Sequence, residues 1–204
     1  MKIFALYILK KEQPPQHTTT VASAMDLSSF GYFQRGSIGE FMTFMAQTIA
    51  DKTHPGQRQS IEENNYLGHV YARADGIAGV VIADKEYPTR ASFGLLNKML
   101  DEFTSKYPDR TRWMAPAGTG ANSGLYPELD QYLVSYQDPH QADTIMKVQR
   151  ELDETKIILH KTIESVLERG EKMESLVERS DVLSNQSKMF YKTAKKQNAC
   201  CVIC

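Results

Sequence analysis

Residues 151–183 read ELDETKIILHKTIESVLERGEKMESLVERSDVL, and the spacing of their apolar side chains decides the architecture of the C-terminal part of the chain. Steps of alternately three and four residues connect Ile145, Val148, Leu152, Thr155, Leu159, Thr162, Val166, Arg169, Met173, Leu176, Ser180, Leu183, Ser187, Phe190, Ala194 and Gln197. A 3.5-residue repeat held in phase for sixteen positions predicts a left-handed coiled coil. A continuous helix over 145–197 would be about 80 Å long. Residues 141–199 contain no proline and one glycine, which fits that reading.

The seam is short of bulk. Thr155, Thr162, Ser180, Ser187 and Gln197 are weak core residues, and such small positions suit a crowded bundle whose other helices supply the volume. Arg169, eighth of the sixteen, places a charge at the middle of the stripe. A buried charge without a partner costs on the order of 3–5 kcal/mol, so this side chain needs acceptors. Uncharged glutamine side chains on neighbouring helices offer carbonyl oxygens to its donors. Periodicity alone also allows a register-setting polar residue in an ordinary coiled coil. Gly170 lowers helix propensity by about 1 kcal/mol relative to alanine. Without partners, the segment is expected to stay mostly disordered and to fold on meeting them.

Working toward the N-terminus, residues 1–137 carry the pattern of a globular domain. Residues 1–9 read as a strand; Lys10, Lys11 and Glu12 follow with no small-residue cleavage site, against a signal peptide. A turn with Pro14 and Pro15 leads to a β-rich stretch at 18–24. Ser37 and Glu40 have capping-box spacing, and Ile38, Phe41, Met42, Met45 and Ile49 share one face of the helix that follows. Strands are predicted at 60–64, 67–73 and 77–84, with Asp75-Gly76 as a hairpin turn. Pro88 and Thr89 open a second helix with Phe93, Leu96, Met99, Leu100 and Phe103 on one face, and a short helix is expected near 126–136. The order, ββαβββα followed by a small α, predicts an α+β domain with helices packed on a sheet.

Toward the C-terminus, acidic residues cease after Asp181 while Lys188, Lys192, Lys195 and Lys196 accumulate. All three cysteines, Cys200, Cys201 and Cys204, fall in the last five residues, which excludes a disulfide framework through the fold. Cys201, Val202, Ile203 and Cys204 form a prenylation box with Cys201 as acceptor, and a small terminal residue favours farnesyl. One lipid binds membranes only reversibly, so Cys200 is the candidate for a second. The lysines add attraction to anionic lipid, and as flanks of a coiled coil they are equally well solvated.

Other classes find little support. The net charge of -1 gives no sign of nucleic-acid binding, and 41% hydrophobic residues suffice for a core. The longest apolar run, 76–83, is far too short to span a bilayer. The glycine-rich 117–124 lacks the lysine of a phosphate loop, the five histidines have no metal spacing, and no nucleophile–base pair is visible. No catalytic residue, metal or cofactor is expected.

ELDETKIILHKTIESVLERGEKMESLVERSDVL resembles the R-SNARE motif, with VLERGEKMESLV (166–177) holding the arginine of the central ionic layer. MKIFALYIL (1–9), SSFGYFQRGSIGEFMTF (28–44), AGVVIADKEYPTRASF (78–93) and QSKMFYKTAKKQNACC (186–201) extend the likeness to the whole chain, which is similar to prenylated longin-domain R-SNAREs. The resemblance implies a longin (profilin-like) domain at 1–137, with a five-stranded antiparallel sheet between one helix and two others. It further implies an α-helical coiled-coil SNARE motif at 138–198 and a lipidated tail at 199–204. Arg169 would be the ionic-layer residue and the other fifteen seam residues the core layers. Cys201 would carry the prenyl group and Cys200 a palmitoyl or second prenyl group, although Cys204 replaces the family's usual terminal methionine. Phe44, on the flank of the first helix's apolar face, would border a groove that receives the folded-back SNARE segment or a lipid; read from the helix alone, it is peripheral core. The implied partners are Q-SNARE helices of the syntaxin type and its relatives, a SNAP adaptor with its AAA ATPase, and a membrane reached by the lipid anchor, with no nucleic acid. The implied location is the cytosol and the cytoplasmic faces of Golgi, endoplasmic reticulum, endosome and vacuole or lysosome. The competing reading is a prenylated coiled-coil tether that does not fuse membranes; a tether has no need of Arg169.

Overall fold

The computed structural model of the protein describes residues 1–11, 18–63, 65–109, 113, 125–138 and 156–200. Five strands come from the N-terminal region: β1 (Ile3–Lys10), β2 (Thr19–Met25), β3 (Arg58–Glu63), β4 (Tyr66–Ala72) and β5 (Ile77–Asp84). They pair antiparallel in the order β2-β1-β5-β4-β3. The unbroken apolar runs of β1 and β5 follow from their central positions, where both faces are covered; β1 is buried at every residue. The opening segment is therefore a central strand.

Helix α1 (Arg35–Asp51) covers one face of the sheet. On the other face lie α2 (Thr89–Lys106) and α3 (Glu128–Ser135). This is one helix against two, as the resemblance to longin domains implied. α2 comes so close to β5 that a Cβ on Gly79 would meet the side-chain ends of Leu96 and Met99 at 2.8 Å, so any larger residue there would force them to shift. Beyond α3, the Gln137 side chain exchanges two hydrogen bonds with the Ile3 backbone, and Tyr87 donates to the Tyr136 carbonyl.

Two expectations need correction. Ser37 is not the cap of α1. The helix begins two residues earlier, continuing a 3₁₀ turn (Tyr32–Gln34), and no side chain caps it. The Arg35 side chain ties this entrance down by donating to the carbonyls of Phe30 and Ser28. Glu40 does not turn back on the helix; its carboxylate accepts the Ser184 amide at 2.8 Å. The second correction concerns the segment of residues 156–200, which folds onto the N-terminal domain without any partner. It breaks into β6 (Ile157–His160), a 3₁₀ turn (Ile163–Val166), α4 (Met173–Arg179) and α5 (Asn185–Cys200). Burial of its apolar side chains on the N-terminal domain replaces the packing that a bundle would supply.

Candidate functional site

The C-terminal segment wraps the open edge of the sheet and then the α1 face. β3 would otherwise leave a row of backbone groups unpaired; β6 runs parallel to it, pairing Arg58 with Ile157 through Ile61 with His160. The Glu63 carboxylate accepts the Ile163 amide at 3.1 Å, and Ile163 is buried. Lys52, at the C-terminal end of α1, bridges Glu168 at 3.1 Å and Glu171 at 2.7 Å. Burial opposes the charge on Lys52, but its hydrogen bonds to Glu171 and Glu168 outweigh that, leaving its ammonium above the usual lysine range. Burial likewise raises Glu40, but the Ser184 amide and the hydroxyls of Ser187 and Ser184 more than offset it, so the carboxylate titrates below its ordinary range.

Beneath these polar contacts lies an apolar seam. Ile163, Met173, Val177 and Leu183 are buried in one cluster with Met42, Phe44, Ala46 and Ile49 of α1. Tyr191 stacks on Phe41 with ring centroids 5.6 Å apart. Beside this interface an apolar groove of about 240 Å³ remains open, and Phe30, Ile38, Phe41, Met45, Tyr66 and the tail residue Phe190 are among its lining. Phe44 is buried in the cluster under the tail and does not line the open groove; Phe41, three residues before it on the helix, does.

The structure splits the sixteen heptad positions. Met173, Leu183 and Ser187 are buried, Val166, Leu176 and Ser180 are half-buried, and Leu159, Thr162, Arg169 and Phe190 are exposed. Two of the most buried tail residues, Ile163 and Val177, lie off the seam, so the stripe that the free chain turns to its domain overlaps the heptad one without coinciding with it. Ile145, Val148, Leu152, Thr155 and Cys201 lie outside the described residues, as does the 117–124 loop; the side chains of Ala194, Gln197 and Cys200 are likewise not described. Sequence reasoning missed Lys52, whose partners are more than a hundred residues away. It read Glu40 as a capping residue and Gly170 only as a weak helix former. Among the described residues no group of side chains could hold a metal ion, and no helix is long and apolar enough to cross a membrane.

A sheet covered by one helix and by two, carrying a heptad segment with an arginine at its centre, defines the class of longin-domain R-SNAREs. The family pattern of the regulated-SNARE-like longin domain matches residues 27–133, and that of synaptobrevin matches residues 144–202. The chain is 58% identical to the synaptobrevin homolog ykt6 of Schizosaccharomyces pombe and 51% identical to YKT6 of Yarrowia lipolytica, each over the whole of both chains. It is 58% identical to YKT6 of Saccharomyces cerevisiae over 90% of each chain. The chain belongs to the synaptobrevin family, with an N-terminal longin domain. It is a non-enzymatic R-SNARE of vesicle trafficking and membrane fusion, and its partners are those of a SNARE complex.

Proposed function

We propose that residues 1–137 are a regulatory longin domain, that 138–198 supply one helix of a parallel four-helix bundle, and that 199–204 are a lipidated tail. Three Q-SNARE helices of the syntaxin type and its relatives complete the bundle, and a SNAP adaptor with its AAA ATPase takes it apart. Arg169 donates to glutamine side chains in the central layer, and the fifteen other heptad residues form the layers on either side. The observation that carries the regulatory part is the burial of Met173, Leu183 and Ser187 on the α1 face. Those three positions cannot face a partner helix until the tail leaves the domain. Purifying the intact chain with ATP-driven disassembly blocked should bring down three Q-SNARE helices; recovery of the chain without them would contradict the bundle role.

The protein reaches the cytoplasmic faces of Golgi, endoplasmic reticulum, endosome and vacuole or lysosome through a prenyl group on Cys201 and a second lipid on Cys200. Each buried methylene contributes about 0.8 kcal/mol, and a single chain holds only transiently. With one lipid the protein exchanges with the cytosol, and the apolar groove beside α1 offers the prenyl chain shelter. Cys201→Ser should leave the chain unmodified and soluble, whereas Cys200→Ser should remain prenylated but mostly cytosolic. Fractionation of cells combined with mass spectrometry of the C-terminal peptide checks both. Sedimentation of Cys201→Ser with membranes in high salt would contradict lipid anchoring.

A further inference from the structure

Arg169 and Gly170 occupy the two central positions of a turn closed by the Glu171 amide on the Glu168 carbonyl at 2.9 Å. Gly170 adopts φ +89°, the left-handed region that L side chains enter only under strain. A Cβ built at Gly170 would meet nothing within 4 Å, so glycine is required by the backbone and not by crowding. The turn is held from two sides. The Glu168 amide donates to the Glu171 carboxylate at 3.1 Å, and Lys52 contacts both carboxylates from the end of α1, where a cation also complements the helix dipole. Arg169 therefore stands exposed at the tip of a clasped turn.

None of this survives in a helix. In the bundle, residues 168–171 must all take right-handed helical angles, so the turn opens and Lys52 loses the shared geometry of its two partners. The glycine is then a poor helix former at the centre of the bundle. We infer that Gly170 and Lys52 are positioning residues for Arg169: the left-handed turn, clasped by Lys52, holds the central arginine out of helical register in the free chain. This inference rests on the proposed bundle role of residues 138–198. It accounts for a glycine next to the ionic layer, which is costly there and serves the closed chain.

Hydrogen exchange of the full-length chain, read on peptides covering 156–183, tests it. Gly170→Ala should lower protection of these peptides roughly tenfold, because alanine is strained in the left-handed region. Amides of β1 and β5 should be unchanged, which separates release of the tail from misfolding. Gly170→Asn, which tolerates that region, should stay within about threefold of the parent. Lys52→Ala should also lower protection, and Lys52→Arg should restore most of it. Arg169→Ala leaves the turn intact and should exchange like the parent; a bundle defect in that variant reports on the bundle role alone. Full protection in Gly170→Ala, or equal loss in the alanine and asparagine variants, would overturn the inference. An unprotected tail in the parent would overturn the closed arrangement and the inference with it.

Discussion

Arg169 is exposed in the free chain, and its neighbours Glu168 and Glu171 pair with Lys52 there, a pairing that the proposed bundle would dissolve. Because its guanidinium is not part of the closed interface, Arg169→Ala should change thermal stability of the free chain by less than about 0.5 kcal/mol. The same substitution should weaken bundle assembly or recycling, and a glutamine-to-arginine change in a partner helix should partly rescue Arg169→Gln. Thermal unfolding set beside native-gel assembly checks the pair; equal assembly and recycling by Arg169→Ala would show that the ionic-layer role is wrong. His69 makes a different residue-scale prediction. It is fully buried, its Nδ1 pairs with the Ser60 hydroxyl at 2.8 Å, and its Nε2 has no hydrogen-bond partner among the described residues. Burial pushes its pKa down to about 4 from 6.5. Since the folded value lies below the unfolded one, His69 contributes full stability above pH 6.5 and loses it as the pH falls toward 4. The loss should reach about 3 kcal/mol, read as a falling urea midpoint between pH 7 and 4.5. His69→Gln should flatten that slope; an unchanged slope would assign it to other groups.

At the scale of elements, much of the longin domain was legible because each element has one period and one environment. β5 spans the residues that its apolar run marked, and α2 starts at the threonine after Pro88. The tail was not legible in the same way, because its residues satisfy two arrangements. IILH at 157–160 keeps the heptad phase, yet its β-branched pair suits a strand, and the free edge of β3 decides for β6. Ile163 and Val177 fall between seam positions, so no heptad reading marks them as buried. The interface with α1 is where a single substitution should separate the elements. Phe44 is 6% exposed within the apolar cluster that the tail covers, and a carboxylate there must either lose its charge or open the packing. Limited proteolysis of Phe44→Glu should cut residues 156–183 far faster than in the parent while sparing the strands. Equal cleavage would place Phe44 in the domain's own core alone.

For the whole molecule, the proposed bundle requires a second packing of a segment that the structure folds on the longin domain, so that domain and partner helices would compete for it. Among the described heptad positions, the closed chain hides Met173, Leu183 and Ser187 and leaves Leu159, Thr162, Arg169 and Phe190 in solvent. Any factor that loosens the α1 face favours the bundle, and occupancy of the groove beside Phe41 by a lipid favours whichever state leaves that groove apolar and intact. Small-angle scattering of the full-length parent and of Phe44→Glu tests the closed arrangement most directly. A compact chain of this length has a radius of gyration of about 17 Å, and the parent should lie within roughly 2 Å of it. Phe44→Glu, with its tail released, should exceed about 22 Å, since an unfolded 60-residue segment alone has a radius near 23 Å. A parent already at the larger value, or two proteins that scatter alike, would contradict the account.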